Sequence, residues 1–289
     1  MAEYVITTDN MADLPDSYYQ ENGVGCTYLE YTMDGKNYRY PDFLPVREFY
    51  SRVRGGSMPT TAQVNPEQSK IFLEQYLKKG LDIVHIAFSS GLSGTCSSAR
   101  IAADELREMY PEREIYVIDS LAASLGQGLL VHYAVQMKKE GRTAAETAEW
   151  VEAHKLNLVH LFTVDSLFHL HRGGRVSKTT AIVGSMLSIK PILHVDNEGH
   201  LIATGKVRGR KKSIIELADE MEEKLGSYKS SCDTIFISHG DCEEDARMLA
   251  DKIKERHKLN TVLINFVGPV IGAHSGPGTL ALFFLGDQR

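Results

Sequence analysis

Short apolar runs alternate with amphipathic segments along most of the chain. The runs are rich in Val, Ile, Leu and Phe, which is typical of buried strands, whereas the segments between them repeat apolar residues at helical spacing. Alternation of this kind predicts layered α/β domains with largely parallel sheets. The strands predicted in the first part of the chain are residues 4–8, 26–31, 82–88, 114–119 and 158–163.

Two helices are indicated by the residues at their first turns. Residues 65–68 (NPEQ) offer an N-cap, a proline at N1 and a Gln at N3, and Gly80 is a plausible stop. Residues 143–146 (TAAE) repeat the capping box after Gly141 and predict a helix to about residue 156. Four apolar residues at helical spacing in the first helix are assigned to the core: Phe72, Leu73, Tyr76 and Leu77.

The pattern changes after residue 163. Two strand-like runs flank residues 196–199 (DNEG), which predict a hairpin that parallel crossovers do not contain. We therefore expect two α/β domains, residues 1–160 with a mainly parallel sheet and residues 161–289 with a mixed sheet. The elements predicted in the second domain are strands at 191–195, 200–207, 234–238, 261–267 and 279–285, and helices at 211–225 and 243–257.

Composition and charge narrow the class of protein. The chain has 289 residues, is 43% apolar and 24% charged, and carries a net charge of −6, so a mainly electrostatic contact with nucleic acid is not expected. One segment is strongly basic, residues 206–212 (KVRGRKK), which is either a solvated helix start or a docking site for an acidic or phosphorylated partner. No secretion signal or membrane span is indicated, so we expect a cytoplasmic protein. The four cysteines have no metal-ligand spacing and are interpreted as reduced thiols: Cys26, Cys96, Cys232 and Cys242.

Residues 89–95 (SSGLSGT) carry the clearest chemical signal. They follow a predicted strand and precede a predicted helix, where unpaired N–H groups and the helix dipole favour an anion. The same letters approach the G-x-S-x-G nucleophile elbow, but Thr95 replaces the second glycine. A hydrolase that uses Ser93, His274 and an Asp therefore stays open, whereas the phosphate-binding loop of kinases, the dinucleotide fingerprint and a metal-binding spacing are not found in the sequence.

Three other clusters lie at predicted loops, and each has a purely structural alternative. Residues 58–63 (MPTTAQ) are a possible turn, and residues 171–175 (HRGGR) are a possible helix C-cap or an arginine pair for an anion. Residues 268–279 (GPVIGAHSGPGT) place His274 in what is expected to be a constrained loop. Asp9, at a strand end, is either a cap or a further candidate.

Taken in order along the whole chain, these segments resemble the DegV family of bacterial fatty-acid-binding proteins. The matching motifs are residues 6–9 (ITTD), 13–15 (DLP), 59–63 (PTTAQ), 89–95, 117–120 (VIDS), 172–176 (RGGRV), 190–193 (KPIL), 206–212 and 272–278 (GAHSGPG). The resemblance implies that one long-chain fatty acid lies between the two domains and that the protein is a carrier and no enzyme itself. It also implies that a separate ATP-dependent fatty acid kinase phosphorylates the bound acid to an acyl phosphate, with at most transient contact with a membrane surface.

The resemblance further implies roles for individual residues. The carboxylate is expected to contact Ser93, Thr61, His274, Arg175, Gly94 and Thr60. The kinase or headgroup is expected to face Arg208 and Arg210, and Arg172 is grouped with them although the family pattern is looser there. No metal or other cofactor is implied.

A buried acyl chain needs an apolar tunnel, and burying each methylene is worth about 0.8 kcal/mol. The sequence offers several large apolar residues that are either tunnel wall or ordinary core, and for each of them core is the favoured assignment: Phe72, Phe162, Phe168, Met186, Ile271 and Phe284.

Overall fold

The computed structural model describes residues 3–177 and 188–289. The strands are β1 (Tyr4–Asp9), β2 (Gly25–Thr27), β3 (Glu30–Met33), β4 (Lys36–Tyr38), β5 (Thr60–Ala62), β6 (Asp82–Ala87), β7 (Ile115–Asp119), β8 (Leu158–Thr163), β9 (Ile189–Val195), β10 (Leu201–Arg208), β11 (Thr234–His239), β12 (Thr261–Phe266) and β13 (Leu280–Leu285). The helices are α1 (Asp16–Asn22), α2 (Val46–Arg54), α3 (Pro66–Leu77), α4 (Thr95–Met109), α5 (Leu125–Lys139), α6 (Ala144–His154), α7 (Phe168–Arg172), α8 (Arg210–Leu225), α9 (Glu243–Lys254) and α10 (Pro269–Ser275).

Both predicted capping boxes are present. The side chain of Asn65 accepts from the N–H of Gln68 and that of Thr143 accepts from the N–H of Glu146, and in each case the N3 side chain accepts from the N–H of the capping residue. Two orphan N–H groups are thus satisfied at the start of α3 and at the start of α6.

The first half of the chain forms a four-stranded parallel sheet in the order β2-β1-β6-β7. The strand predicted at 26–31 is wrong, because β2 ends at Thr27 and β3 belongs to a separate antiparallel sheet in the order β4-β3-β5. That small sheet includes Thr60 and Thr61, so the alternative that residues 58–63 form a turn is wrong for these two residues.

The second half forms a six-stranded mixed sheet in the order β10-β9-β8-β13-β11-β12. Strands β9 and β10 pair antiparallel across the predicted hairpin, and β11 and β12 are parallel. This α/β architecture, with a parallel first sheet and a mixed second sheet, confirms the predicted fold class. Strand β8 starts the second sheet at Leu158, so a division between residues 160 and 161 would fall inside that strand.

Helix α5 connects the two large sheets. It packs against β1 and β6 of the first sheet and against β8, β11 and β13 of the second. Residues of both halves therefore share one apolar cluster, which includes Ile6, Leu129, Phe162 and Phe283. The other face of the six-stranded sheet is covered by α8 and α9, with Val159, Leu161, Leu217 and Leu249 among the buried residues.

Candidate functional site

A cavity of about 550 Å³ lies between the two halves. On one side it is bounded by loops that follow the carboxyl ends of β1, β6 and β7, which include Met11, Phe88 and Ala123. This is where ligands bind in open parallel sheets. On the other side it is bounded by one face of the six-stranded sheet, with Phe162, Ala281 and Phe283 in alternate positions along their strands.

Five of the six predicted carboxylate contacts line this cavity: Ser93, Thr61, His274, Gly94 and Arg175. Thr61 Oγ1 and His274 Nε2 lie 2.8 Å apart, although the two residues are 213 positions apart in the sequence. Thr61 is held by β5, and His274 lies in the last turn of α10. The expectation that His274 lies in a loop is wrong, because Pro269 opens a short helix that runs through it.

Burial fixes the charge state of His274. Its pKa falls to about 4 because the ring is largely removed from water and because Arg175 and Arg172 are close by. The imidazole is therefore neutral at pH 7. With the proton on Nε2, it donates to Thr61 and leaves the Thr61 hydroxyl free to donate to an anion in the cavity.

Gly173, directly after α7, makes room for His274. A Cβ atom on Gly173 would lie 2.3 Å from Nδ1 of His274, which is far inside van der Waals contact. Gly173 is also the C-cap of α7, so the C-cap interpretation of residues 171–175 holds as well. A side chain at position 173 would therefore displace the imidazole of His274.

The two arginines of this segment have different surroundings. Arg175 lines the cavity, donates to the carbonyl of Leu92 at 3.0 Å and also donates to the carbonyl of Gly173. Arg172 donates to the carbonyls of Pro59 at 3.0 Å and Ala273 at 2.8 Å. Arg172 therefore ties the segment before Thr61 to the helix that carries His274, which makes it a positioning residue.

Residues 89–95 divide into two parts with separate contacts. Ser89 Oγ donates to the carbonyl of Gly199 at 2.9 Å, and a Cβ on Gly91 would lie 2.7 Å from the carbonyl oxygen of Glu198. The first part thus packs on the β9–β10 turn. The second part faces the cavity, where Ser93 Oγ lies 3.0 Å from Thr95 Oγ1 and accepts from the Thr95 N–H at the start of α4.

The remaining predicted contacts lie away from the cavity wall. Thr60 is exposed on β5 and does not line the cavity, because successive strand residues point to opposite faces. Arg208 is exposed on the edge strand β10. Arg210 is paired with Asp245, with Nε and Oδ2 2.8 Å apart. Asp9 is fully buried and accepts from Met11, Phe88 and Gln127, so its role is that of a cap.

The candidate tunnel residues lie in different surroundings. Phe162 and Ile271 line the cavity, and Phe162 also belongs to the shared apolar core cluster. Phe284 is core on the far face of the sheet, Phe72 packs beside α4, and Phe168 is half exposed. Met186 lies outside the described residues.

Sequence reasoning missed most of the sheet wall. Alternate apolar residues in a strand indicate that one face is buried, but not what covers it. Gln63, which lies against Gly94, was also missed: a Cβ at Gly94 would be 2.4 Å from its Oε1. The signal was present, since Gln63 ends the 59–63 motif.

The geometry favours Ser93 as a hydrogen-bond donor over Ser93 as a nucleophile. Its hydroxyl pairs with Thr95, and Nε2 of His274 pairs with Thr61. Within residues 3–177 and 188–289, Nδ1 of His274 has no hydrogen-bond partner, so no carboxylate orients the ring as in a catalytic triad. No group of His, Cys, Asp or Glu that could hold a metal ion occurs among these residues, and none of their helices is long and apolar enough to cross a membrane.

Fold and site together define an α/β protein with a mainly apolar cavity between its two large sheets and a polar, positively charged corner in that cavity. The family model described as "Uncharacterised protein, DegV family" matches residues 3–287. A DegV domain-containing protein of Clostridium perfringens is 47% identical over 291 residues, with 100% of this chain and 99% of the relative covered. The chain belongs to the DegV family.

Solved structures agree with this assignment. A DegV family protein from Thermus thermophilus, described by its fatty acid binding, is 30% identical, with a TM-score of 0.86 over 99% of this chain and 100% of its own. DegV from Bacillus subtilis, a fatty acid binding protein, is 28% identical, with a TM-score of 0.82 over 99% and 100% of the two chains.

Proposed function

We propose that this protein binds one long-chain fatty acid, with the acyl chain in the 550 Å³ cavity and the carboxylate in the corner formed by Thr61, Ser93, His274 and Arg175. The observation that carries the proposal is the 2.8 Å contact between Thr61 and His274, which closes a polar corner on an otherwise apolar cavity. The fatty acids bound by the T. thermophilus and B. subtilis relatives support it.

The corner has the chemistry that a carboxylate needs. A buried carboxylate requires several donors or a positive charge, and hydrogen bonds to a charged group are about twice as strong as neutral ones. Ser93 and Thr61 supply hydroxyl groups, and Gly94 is the N-cap of α4. Arg175 supplies the positive charge, because His274 is neutral at pH 7. Thr60 is not part of this set, because it is exposed on the other face of β5.

The cavity supplies most of the affinity. Its volume is in the range of sites that enclose one small molecule, and its wall includes Leu29, Phe88, Leu170, Val195 and Phe283. Burying a dozen methylenes is worth roughly 10 kcal/mol before the cost of ordering the chain. Tight binding therefore needs only modest contributions from the carboxylate contacts.

The experiment is identification of the lipid that stays with the purified protein. Native mass spectrometry should show a mass increase that fits one fatty acid, and octadecanoic acid added after delipidation should raise the melting temperature in a saturable way. Absence of both a bound acid and saturable binding would overturn the proposal.

The carrier presents its ligand to a separate ATP-dependent kinase, which phosphorylates the carboxylate to an acyl phosphate. The family resemblance carries this step, and exposed basic residues on the edge strand β10 and in the first turn of α8 support it: Lys206, Arg208, Lys211 and Lys212. Such a patch attracts an acidic partner or a phosphate. Arg210 is paired with Asp245 and Arg172 braces the site, so neither belongs to this surface.

The kinase step is tested by reconstitution with a fatty acid kinase subunit and ATP. Acyl phosphate should form only when the loaded carrier is present, and Arg208→Glu should slow its formation without changing fatty acid affinity. Equal rates for the Arg208→Glu variant and the parent protein would remove Arg208 from the kinase-facing surface.

A further inference from the structure

Two residues in the wall of the cavity are exposed to solvent. The described residues that line the cavity are buried or half-buried, with the exception of Gln63 and Ser90. Ser90 belongs to the loop at residues 89–95, and Gln63 packs on Gly94 of the same loop. In the described part of the chain, the cavity therefore opens to solvent beside this loop. That end of the cavity also holds the carboxylate corner, formed by Thr61, Ser93, His274 and Arg175.

Gln63 comes from the same segment as Thr61. Both side chains line the cavity, whereas Ala62 between them is exposed and does not line it. Residues i and i+2 of an extended chain point to the same side and lie about 6.6 Å apart. Thr61 therefore reaches the inner side of the carboxylate corner, where it contacts His274, and Gln63 reaches the outer side, next to Gly94.

The carboxamide of Gln63 is available at the opening. A Cβ atom on Gly94 would lie 2.4 Å from Oε1 and 3.0 Å from Nε2 of Gln63, so the carboxamide itself covers this glycine. Within residues 3–177 and 188–289, no hydrogen bond joins the carboxamide to another residue. A glutamine carboxamide has two N–H donors, and both are free to bind a group at the opening.

A carboxylate in the corner still needs a donor on its outer side. Its two oxygens have about four lone-pair sites. Ser93 and Thr61 each supply one hydroxyl donor. Arg175 donates to the carbonyls of Leu92 and Gly173, and the rest of its five N–H donors can serve the ligand. One donor from each of these three residues leaves one lone-pair site for a donor at the opening.

We propose that Gln63 completes the headgroup site, with Nε2–H donating to the outward-facing oxygen of the bound carboxylate. A hydrogen bond to an ionised acceptor is about twice as strong as one to a neutral acceptor. Gln63 therefore selects ligands with an ionised headgroup over neutral ligands of the same chain length. This inference rests on the proposed fatty acid binding and adds a residue that determines which headgroup is accepted.

The test removes the donor and keeps the packing on Gly94. Gln63→Met keeps the length of the side chain without its N–H groups, and Gln63→Glu keeps the shape and places a negative charge beside the ligand. Binding of radiolabelled octadecanoic acid and octadecanol is measured on the full chain after delipidation. The acid should bind about fivefold more weakly to Gln63→Met and at least tenfold more weakly to Gln63→Glu. The alcohol should change by about twofold or less in both variants.

The matched control is Ala62→Glu. It adds the same charge one residue away, on the exposed side of the segment that does not line the cavity. Water and salt screen an exposed charge, so the affinity for octadecanoic acid should fall by less than twofold. Gln63 and Ala62 are both exposed, and the melting temperatures of all three variants should therefore match that of the parent protein.

Nuclear magnetic resonance reports the contact directly. The side-chain amide resonances of Gln63 can be assigned by their absence from the ¹⁵N spectrum of Gln63→Met. They should shift when octadecanoic acid is added, and shift less with octadecanol. Equal shifts with the two ligands would show that Gln63 only packs on Gly94 and would overturn the inference.

The binding results distinguish this inference from the proposed function. Equal losses for the acid and the alcohol, an unchanged affinity for the acid in Gln63→Glu, or an equal loss in Ala62→Glu would overturn the role of Gln63. Tight binding of octadecanoic acid to the parent protein would leave the proposed function in place in each of these cases. If the parent protein binds neither ligand, the proposed function fails together with this inference.

Discussion

The two halves of the protein contribute opposite kinds of surface to the same cavity. The first half contributes Ser93 and Gly94 from a loop at the end of a parallel strand, and Thr61 from the short strand β5. The second half contributes a sheet face with Phe162, Ala281 and Phe283, in which polar groups are few. Loops bring backbone N–H groups and hydroxyls to one point, whereas a paired sheet has its backbone satisfied and offers mainly side-chain surface.

The comparison explains how a chain with weak individual motifs builds a specific site. In the proposed complex, the polar corner holds the carboxylate end of the ligand, and the sheet face provides most of the binding energy. His274 and Arg175 are the exceptions, because both reach the corner from the second half, His274 on α10 and Arg175 in the segment after α7. Each prediction below alters one of the two surfaces or the contact between them.

The largest effect is expected from filling the sheet wall. Ala281→Phe places a ring in the cavity and displaces about three or four methylenes, which at about 0.8 kcal/mol each lowers fatty acid affinity roughly a hundredfold. Titration with octadecanoic acid measures it. Ala203→Phe, at an exposed position of β10, is the control and should bind normally. Normal affinity in Ala281→Phe would mean that the acyl chain lies elsewhere.

Arg289 links the two halves of the protein, and removing its side chain should lower the free energy of unfolding while leaving the carboxylate corner intact. The guanidinium of Arg289 donates to the carbonyls of Leu121 at 2.6 Å, Asp196 at 2.9 Å and Leu158 at 3.1 Å, and is only 7% exposed. Arg289→Ala leaves these carbonyls without that partner, and we expect a loss of about 2 to 4 kcal/mol in urea unfolding. Arg100→Ala, exposed on α4, should change stability little. A similar small change in both variants would contradict the connecting role of Arg289.

The polar corner is tested by Ser93→Ala. Loss of one hydrogen bond to a charged group is worth about 1.5 kcal/mol or more, so octadecanoic acid should bind about tenfold more weakly or worse, while the melting temperature changes little. Ser97→Ala, exposed two residues into α4, is the matched control. Octadecanol, which has no carboxylate, should lose less affinity than the acid. If the acid binds Ser93→Ala as tightly as the parent protein, Ser93 is not a carboxylate contact.

The smallest effect concerns Asp13, which lies where the halves meet. Burial raises its pKa from 3.8 to about 7, so the folded state holds this proton more tightly than the unfolded chain does. The contribution of Asp13 to the free energy of unfolding therefore decreases as pH rises from about 4 to about 7. Relative to Asp13→Asn, the parent protein should lose on the order of 1 kcal/mol between pH 5 and pH 7 in urea unfolding. Parallel pH profiles for the two proteins would show that Asp13 keeps an ordinary pKa.

The sequence predicted helices and strands correctly where the residues that specify them lie within a few positions of one another. The capping boxes at Asn65 and Thr143 specify both partners within one turn, and the structure has both. Residues 26–31 were misassigned because periodicity gives apolar content but not the strand that each residue pairs with, and Cys26 and Tyr31 join different sheets. His274 was expected in a loop because its glycines and prolines suggested one, whereas Pro269 at N1 begins a helix.

The sequence by itself determined the kind of protein: an α/β chain with an anion-favouring loop at residues 89–95 and the ordered motifs of the DegV family. Only the tertiary structure decided how those residues meet, because contacts between distant segments depend on how the two sheets pack through α5. That packing brings Thr61 to His274, makes Arg172 a brace, exposes Thr60 and Arg208, and turns alternate residues of an ordinary strand into the wall of a cavity.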